Sequence, residues 1–191
     1  MVYIAARKLP RNLECPLDNV LLDIVDTVNP YFYYVGFTPN GLTLVSAIFG
    51  ILSCVSVFYN LYIYSSILYF IGYFFDCADG NFARRYNMVS KFGDIFDHTK
   101  DIVVFVSLVI VLIYKQGVTL WNCMLFLNFL GLLGLNVLYL GELEIQSNKI
   151  KSEFLKLFSI RSNISLFYLR HFGCANLNLY VSMVLLHFKF I

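Results

Sequence analysis

Residues 76–101 read DCADGNFARRYNMVSKFGDIFDHTKD and lie between two apolar runs, residues 61–75 and residues 102–114. Of the chain's 12 acidic residues, the segment holds Asp76, Asp79, Asp94, Asp97 and Asp101. A carboxylate beside hydrocarbon is costly unless it is paired, hydrated or metal-bound, so acids in such a place are candidates for function. The rest of the chain is best understood as the support for this acidic segment.

The spacing of the acids places them on two helical faces. Asp76 and Asp79 are three residues apart, and Asp97 and Asp101 are four apart, so each pair shares one face of a helix. If the two helices meet at these faces, four carboxylates converge and repel one another. Carboxylate oxygens suit Mg²⁺, Mn²⁺ or Ca²⁺, and two such ions balance four negative charges. A structural cluster of ion pairs in a helical hairpin is the alternative. The cations between the two pairs are Arg84, Arg85 and Lys91.

The residues between the acidic pairs complete a longer motif. Gly80 leaves room for a ligand, Ala83 is small, and Arg84 carries a planar group that suits phosphate. The full pattern is D-x2-D-G-x2-A-R-x8-G-x3-D-x3-D, from Asp76 to Asp101. It resembles the signature of the CDP-alcohol phosphotransferase family, with every defining position present.

The resemblance implies an activity in phospholipid synthesis. A CDP-linked lipid or CDP-aminoalcohol donor gives its substituted phosphoryl group to an alcohol, and CMP leaves. Two Mg²⁺ or Mn²⁺ ions neutralise and align the reacting groups. The implied metal ligands are Asp76, Asp79, Asp97 and Asp101. Asp101 is also the implied general base, which takes the proton of the acceptor hydroxyl. The expected donor-binding residues are Gly80, Ala83, Arg84, Ser90, Asn40 and Thr43.

Two of these donor-site residues, Asn40 and Ser90, also have a structural interpretation. Family members often carry P-N-x-x-T near the nucleotide, and Asn40 and Thr43 match it here. Thr38 or Asn40 could instead cap the helix that follows, and Ser90 could cap the next helix that starts at the motif. Asp94 and His98 lie off the face of Asp97 by about 100°, which predicts a solvated acid and a structural or solvated histidine.

Two signals about the substrate conflict. Residues 96–98, FDH, and residues 83–85, ARR, are similar to segments of choline and ethanolamine phosphotransferases. Residues 89–93, VSKFG, are more similar to phosphatidylinositol or phosphatidylglycerophosphate synthases. The sequence leaves the donor and the acceptor alcohol open.

The composition is that of a multispan membrane protein. The 191 residues are 59% hydrophobic and 14% charged, and the mean hydropathy is +0.71. A net charge of +2 gives no reason to expect a nucleic-acid partner. The five cysteines are scattered, without metal-binding spacing, and are typical of small buried hydrophobic residues.

The hydropathy pattern predicts an all-α transmembrane bundle of five to six spans. Residues 1–37 form a cytosolic N-terminus with an amphipathic interfacial helix over residues 15–34, which Pro30 ends or bends. Residues 38–191 form the transmembrane domain. The predicted spans are residues 42–59, 61–75, 93–114, 120–140 and 177–191. A second interfacial helix is expected within residues 142–163. The resemblance implies six spans, so we expect either that the sixth is missing or that the chain is cut short. A homodimer is also expected.

Basic residues set the expected orientation. The N-terminus, residues 84–91 and residues 142–161 are basic, which places the acidic site at the cytosolic face of the endoplasmic reticulum or an equivalent cytoplasmic membrane.

Two other classes of protein stay open. A prenyltransferase-like Mg²⁺-dependent membrane enzyme is disfavoured by the D-G-x2-A-R element. A catalytically silent or truncated membrane scaffold is disfavoured by the intact acids.

Overall fold

A computed structural model describes residue 7, residues 10–146 and residues 166–189 of the chain. These residues form six helices and no strand, so the all-α prediction is confirmed for them. The helices are α1 (Pro16–Val35), α2 (Pro39–Phe58), α3 (Tyr62–Arg85), α4 (Lys91–Gln116), α5 (Leu120–Gln146) and α6 (Cys174–His187). One helical turn, Leu166–Leu169, and a 3₁₀ turn, Arg170–Phe172, precede α6.

Two helices of the described residues are long and apolar enough to cross a membrane, judged by length and composition: Pro39–Phe58 and Leu120–Glu142. The other predicted spans do not meet this measure. In α3 and α4 the acidic segment is part of the helices themselves, and α6 has 14 residues. The interfacial helix expected within residues 142–163 lies mostly outside the described residues.

Helix α3 lies at the centre of the bundle, packed against α1, α2 and α6. Fully buried side chains of α1, α2 and α3 meet at Val25, Leu42 and Phe82. A second apolar cluster joins α2, α4 and α6 around Leu108 and Leu185. Burial of this kind is the main source of stability for packed side chains. The first cluster packs around the acidic end of α3, and the second includes Tyr62 at the other end of the helix.

Two glycines allow α2 to approach α3 and α4 closely. A Cβ on Gly50 would lie 2.7 Å from Cγ1 of Val104 in α4, and a Cβ on Gly72 would lie 3.3 Å from the backbone oxygen of Ser46. Small residues at such contacts let helix backbones come together. The three helices therefore meet at the level of Ser46, next to the acids.

Helix α1 is bound to the end of α3 by polar contacts. The sequence left open whether Pro30 ends or bends the helix, and α1 continues past it to Val35. Pro30 lacks the N–H that would bond to the carbonyl of Asp26. Arg85 donates to that carbonyl at 2.7 Å. Asn29 is buried and donates to Asn81 at 2.8 Å. The proline thus leaves an acceptor that α3 uses.

The buried face of α1 differs from the one that apolar spacing predicts. Val20 and Ile24 are exposed, whereas Asp18 is buried. The hydroxyl of Tyr73 donates to Asp18 at 2.5 Å, and the backbone N–H of Ala175 donates to it at 3.4 Å. Burial raises the pKa of the Asp18 carboxyl, and the Tyr73 hydrogen bond opposes this rise. One carboxylate at the N-terminal end of α6 therefore links α1, α3 and α6.

Candidate active site

Three of the four motif acids meet between α3 and α4. Asp76 of α3 and Asp97 and Asp101 of α4 each place a carboxylate oxygen within 4.8 Å of the others. Asp97 and Asp101 reach this point together because they are one helical turn apart. The spacing predicted that the acidic faces of the two helices meet, and for these three residues they do.

A lysine lies among the three carboxylates. The side chain of Lys100 is 4% exposed. Its ammonium contacts the carboxylate of Asp76 and lies 2.7 Å from Oδ1 of Asp101 and 3.2 Å from Oδ1 of Asp97. It also donates to the hydroxyl of Ser46 in α2 at 3.2 Å. The ammonium of Lys100 therefore balances part of the negative charge of the converging carboxylates.

Lys100 was missed in the sequence reasoning, which weighed only the cations between the two acidic pairs. A signal was available, because Lys100 follows Asp97 by three residues and so lies near it on a helix. Ser46 was also missed, and nothing in the sequence marks it, since its place depends on how α2 docks. The ion-pair interpretation of the acids is thus partly realised.

Asp79 is separate from the three-carboxylate group. It is buried one turn after Asp76, and the hydroxyl of Thr43 donates to its Oδ2 at 2.5 Å. The predicted meeting of four carboxylates is therefore seen for three, because the start of α2 provides Asp79 with a hydrogen-bond donor. Thr43, which is expected at the donor nucleotide, contacts Asp79 in this structure.

The N-terminal ends of α2 and α4 meet beside Gly93. A Cβ on Gly93 would lie 3.1 Å from Oδ1 of Asn40 and 3.1 Å from the hydroxyl of Ser90. Ser90 caps α4 by accepting from the N–H of Gly93 at 3.0 Å, and Thr38 caps α2 by accepting from the N–H of Gly41 at 3.1 Å. Both capping alternatives are therefore realised. Asn40 does not cap and lies at the junction of the two helices.

Arg84 lies over Gly80. A Cβ on Gly80 would come within 3.2 Å of Nη1 of Arg84, one turn further along α3. The glycine in the motif therefore makes room for the guanidinium of Arg84. Ala83, the neighbouring motif residue, is partly buried. The structure places these three residues on the last turns of α3, beyond Asp79.

The off-face residues lie where the helical angle predicts. The Asp94 side chain is 78% exposed, and the ring of His98 is exposed beside it. Nδ1 of His98 lies 2.8 Å from the backbone oxygen of Asp94. Neither residue belongs to the three-carboxylate group.

The three-carboxylate group fits a divalent cation. Three carboxylate oxygens are a donor set that Mg²⁺ and Mn²⁺ prefer. Oδ1 of Asp97 is buried and accepts no hydrogen bond from the residues that the structure describes. The ammonium of Lys100 shows that a positive group is accommodated between these oxygens.

A cavity of about 350 Å³ opens beside the acids. Its charged end is formed by Asp76, Lys100 and Asp101, and its other polar lining residues are Ser46, Tyr69, Tyr73 and Asn178. Its remaining wall is mostly hydrocarbon from α4, α5 and α6, including Phe105, Phe129, Leu133, Leu177 and Val181. An adjoining apolar cavity of about 410 Å³ shares Phe105, Phe129 and Val181 with it. A cavity that is charged at one end and apolar along the rest suits an amphiphilic ligand.

The site and fold define a helical protein with a polyacidic cation site beside an apolar cavity. The chain belongs to the CDP-alcohol phosphatidyltransferase family, whose model matches residues 37–188. The resemblance of the motif to this family is thereby confirmed.

One relative is the archaetidylinositol phosphate synthase of Pyrococcus horikoshii, to which the chain is 36% identical over 66 residues. The match covers 35% of this chain and 35% of that protein, about a third of the relative's length. No solved structure matches the chain.

Proposed function

We propose that the protein is an integral membrane enzyme of phospholipid synthesis. It transfers a substituted phosphoryl group from a CDP-linked donor to an alcohol and releases CMP. The observation that carries this proposal is the convergence of Asp76, Asp97 and Asp101 within 4.8 Å in a member of the CDP-alcohol phosphatidyltransferase family. The amphiphilic cavity beside them supports a lipid substrate.

The acids are assigned to two divalent ions, Mg²⁺ or Mn²⁺. Asp76, Asp97 and Asp101 form the observed group, and Asp79 joins them in our proposal because it lies one helical turn after Asp76 on α3. Bound metal would neutralise charge on the transferring phosphoryl group. Thr43 holds the Asp79 carboxylate in place through its hydroxyl.

Asp101 is assigned as the general base. It lines the cavity, and its side chain is 57% exposed, the most of the three converging acids. The acceptor hydroxyl gives its proton to the Asp101 carboxylate as its oxygen attacks the phosphorus that carries the donor's alcohol. The bond from that phosphorus to the oxygen bridging to CMP breaks, and CMP leaves with the electron pair. The product is a phosphodiester between the two alcohols.

The donor's diphosphate is assigned to the ends of α2, α3 and α4. Arg84, over Gly80, provides the planar cation that suits phosphate oxygens. Asn40, at the junction beside Gly93, is placed to hydrogen-bond the nucleotide. Ser90 and Ala83 complete this end of the site, Ser90 chiefly by fixing the start of α4.

An inositol phosphate is the first acceptor to test. The name of the Pyrococcus horikoshii relative points to an inositol phosphate lipid. The similarity of residues 89–93 to phosphatidylinositol or phosphatidylglycerophosphate synthases agrees with it.

The membrane topology belongs to the same proposal. Helices α2 and α5 are assigned as spans by their length and composition. We assign further spans to α3, α4 and α6, which pack with α2 into one bundle around the acids. The acidic site faces the cytosol, α1 lies in the membrane interface, and the protein forms a homodimer.

The test follows CMP release by the purified protein in detergent with Mg²⁺. CDP-diacylglycerol, CDP-choline and CDP-ethanolamine are each paired with inositol phosphate, inositol, glycerol phosphate and diacylglycerol, and prenyl diphosphates are tested in parallel. We expect CMP from at least one pair, and none from the Asp97→Asn variant. Absence of CMP with every pair, or turnover of a prenyl diphosphate instead, would overturn the proposal.

A further inference from the structure

We propose that the ammonium of Lys100 is a built-in cation that occupies the metal site, and that a divalent ion binds by displacing it. The inference rests on the proposed function, since it concerns the same carboxylates. It adds a residue that lies outside the motif of acids, glycines and arginine. Lys100 contacts all three members of the carboxylate group at once.

The two cations compete for the same oxygens. Mg²⁺ binds oxygen ligands at about 2.0–2.1 Å, and a bond from ammonium to carboxylate is about 2.7–2.9 Å long. The ammonium lies 2.7 Å from Oδ1 of Asp101 and 3.2 Å from Oδ1 of Asp97. A metal bound to these same oxygens would lie within contact distance of Nζ and would repel it. The metal ion and the ammonium therefore cannot occupy the three-carboxylate group at the same time.

The cavity beside the acids can accept the ammonium of Lys100 when a metal ion displaces it. Its side chain lines the cavity of about 350 Å³, and the hydroxyl of Ser46 already accepts from the ammonium at 3.2 Å. A lysine has a flexible four-carbon stem, so the ammonium can swing into the cavity while α4 stays in place. In the absence of metal, the positive charge of the ammonium offsets the mutual repulsion of the three carboxylates.

The first test measures Mn²⁺ binding by electron paramagnetic resonance on purified protein in detergent. If Lys100 competes with the metal, Lys100→Met should bind Mn²⁺ about tenfold more tightly than the unmodified protein. Lys91→Met is the matched control, because it removes the same charge from an exposed position at the start of the same helix. It should leave the affinity unchanged. Equal or weaker binding by Lys100→Met would overturn the inference.

Thermal unfolding gives a readout that does not depend on affinity. Without metal, Lys100→Met should unfold at a lower temperature than the unmodified protein. Added Mn²⁺ should raise the unfolding temperature of Lys100→Met by more than it raises that of the unmodified protein. Lys91→Met should respond as the unmodified protein does.

The second test needs no variant and covers the case in which Lys100→Met does not fold. Lysines of the unmodified protein are acetylated with and without saturating Mn²⁺ and measured by mass spectrometry. Modification of Lys100, 4% exposed here, should increase several-fold with Mn²⁺, and modification of Lys91 should not change. Unchanged Lys100 reactivity at saturating Mn²⁺ would overturn the inference.

These measurements separate the inference from the proposed function. If both proteins bind Mn²⁺ with the same affinity, the displacement of Lys100 is wrong and the metal assignment stands. If neither binds Mn²⁺, the metal assignment itself is wrong, and the inference is overturned with it.

Discussion

Replacing Asp101 by asparagine tests whether this residue is the base. The change keeps the size of the side chain and removes its capacity to take a proton. Loss of a general base costs about 10²–10⁴-fold in the chemical step, which corresponds to about 3–5 kcal/mol of transition-state stabilisation. The side chain is 57% exposed, and the buried ammonium of Lys100 keeps the carboxylates of Asp76 and Asp97 as partners, so the replacement should cost the fold little.

The assay separates turnover from donor binding. Asp101→Asn should release CMP slowly, yet bind the CDP-linked donor in the presence of Mg²⁺ in calorimetry. Asp79→Asn should lose both, because Asp79 is buried and fixed by the hydroxyl of Thr43 at the donor end of the site. Asp76→Asn should behave like Asp79→Asn.

Asp94→Asn is the matched control for Asp101→Asn. Asp94 is on the same helix, carries the same charge and is 78% exposed, away from the three-carboxylate group. Its replacement should leave turnover and donor binding within about twofold, as is usual for surface changes. If Asp101→Asn binds donor as poorly as Asp79→Asn, its role is to hold metal. His98 would then be the first candidate for the base.

Four further outcomes are expected. Excess chelator should abolish turnover and Mg²⁺ should restore it, while Asp97→Asn stays inactive but folded; undiminished turnover in chelator would exclude the metal mechanism. Tyr73→Phe should lower the free energy of unfolding by about 1.5–3 kcal/mol in denaturant titration, because it removes the donor to a buried carboxylate. Burial raises the pKa of Asp18 above its ordinary 3.8, so thermal stability should fall as pH rises through the raised pKa, and Asp18→Asn should lose this dependence. Cysteines introduced at Val89 and Val118, in a background with the exposed native cysteines replaced, should be labelled from the cytosolic and the opposite face, respectively; the reverse would overturn the orientation.

Much of the acidic site was accessible from spacing alone. Helical periodicity places Asp97 and Asp101 on one face, and the structure brings both to Asp76. The placement of Asp76 and Asp79 on one helical face also predicts that the motif starts within a helix, and α3 extends through both residues to Arg85. These predictions hold because they depend on the geometry of one helix at a time.

The failures concern contacts between helices. Asp79 bonds to Thr43 because α2 docks with its N-terminal end against α3, and one helix does not reveal that. Asp18 is buried on α1 because Tyr73 and the start of α6 supply donors that outweigh apolar spacing. Lys100 is the instructive case, since its position near Asp97 was predictable and its reach to Asp76 was not.

The structure also bears on the substrate, through the two residues that favoured a CDP-choline or CDP-ethanolamine donor. Arg85, the second arginine of residues 83–85, donates to the carbonyl that Pro30 leaves without a partner and lies 3.7 Å from the Asp26 carboxylate. Its contacts explain its presence without any substrate. His98 is exposed and lies outside the three-carboxylate group. Gly93 belongs to the motif of the whole family and does not distinguish the substrates. An inositol phosphate acceptor is therefore the first to test because the position of Arg85 is explained by contacts with α1 and His98 is exposed.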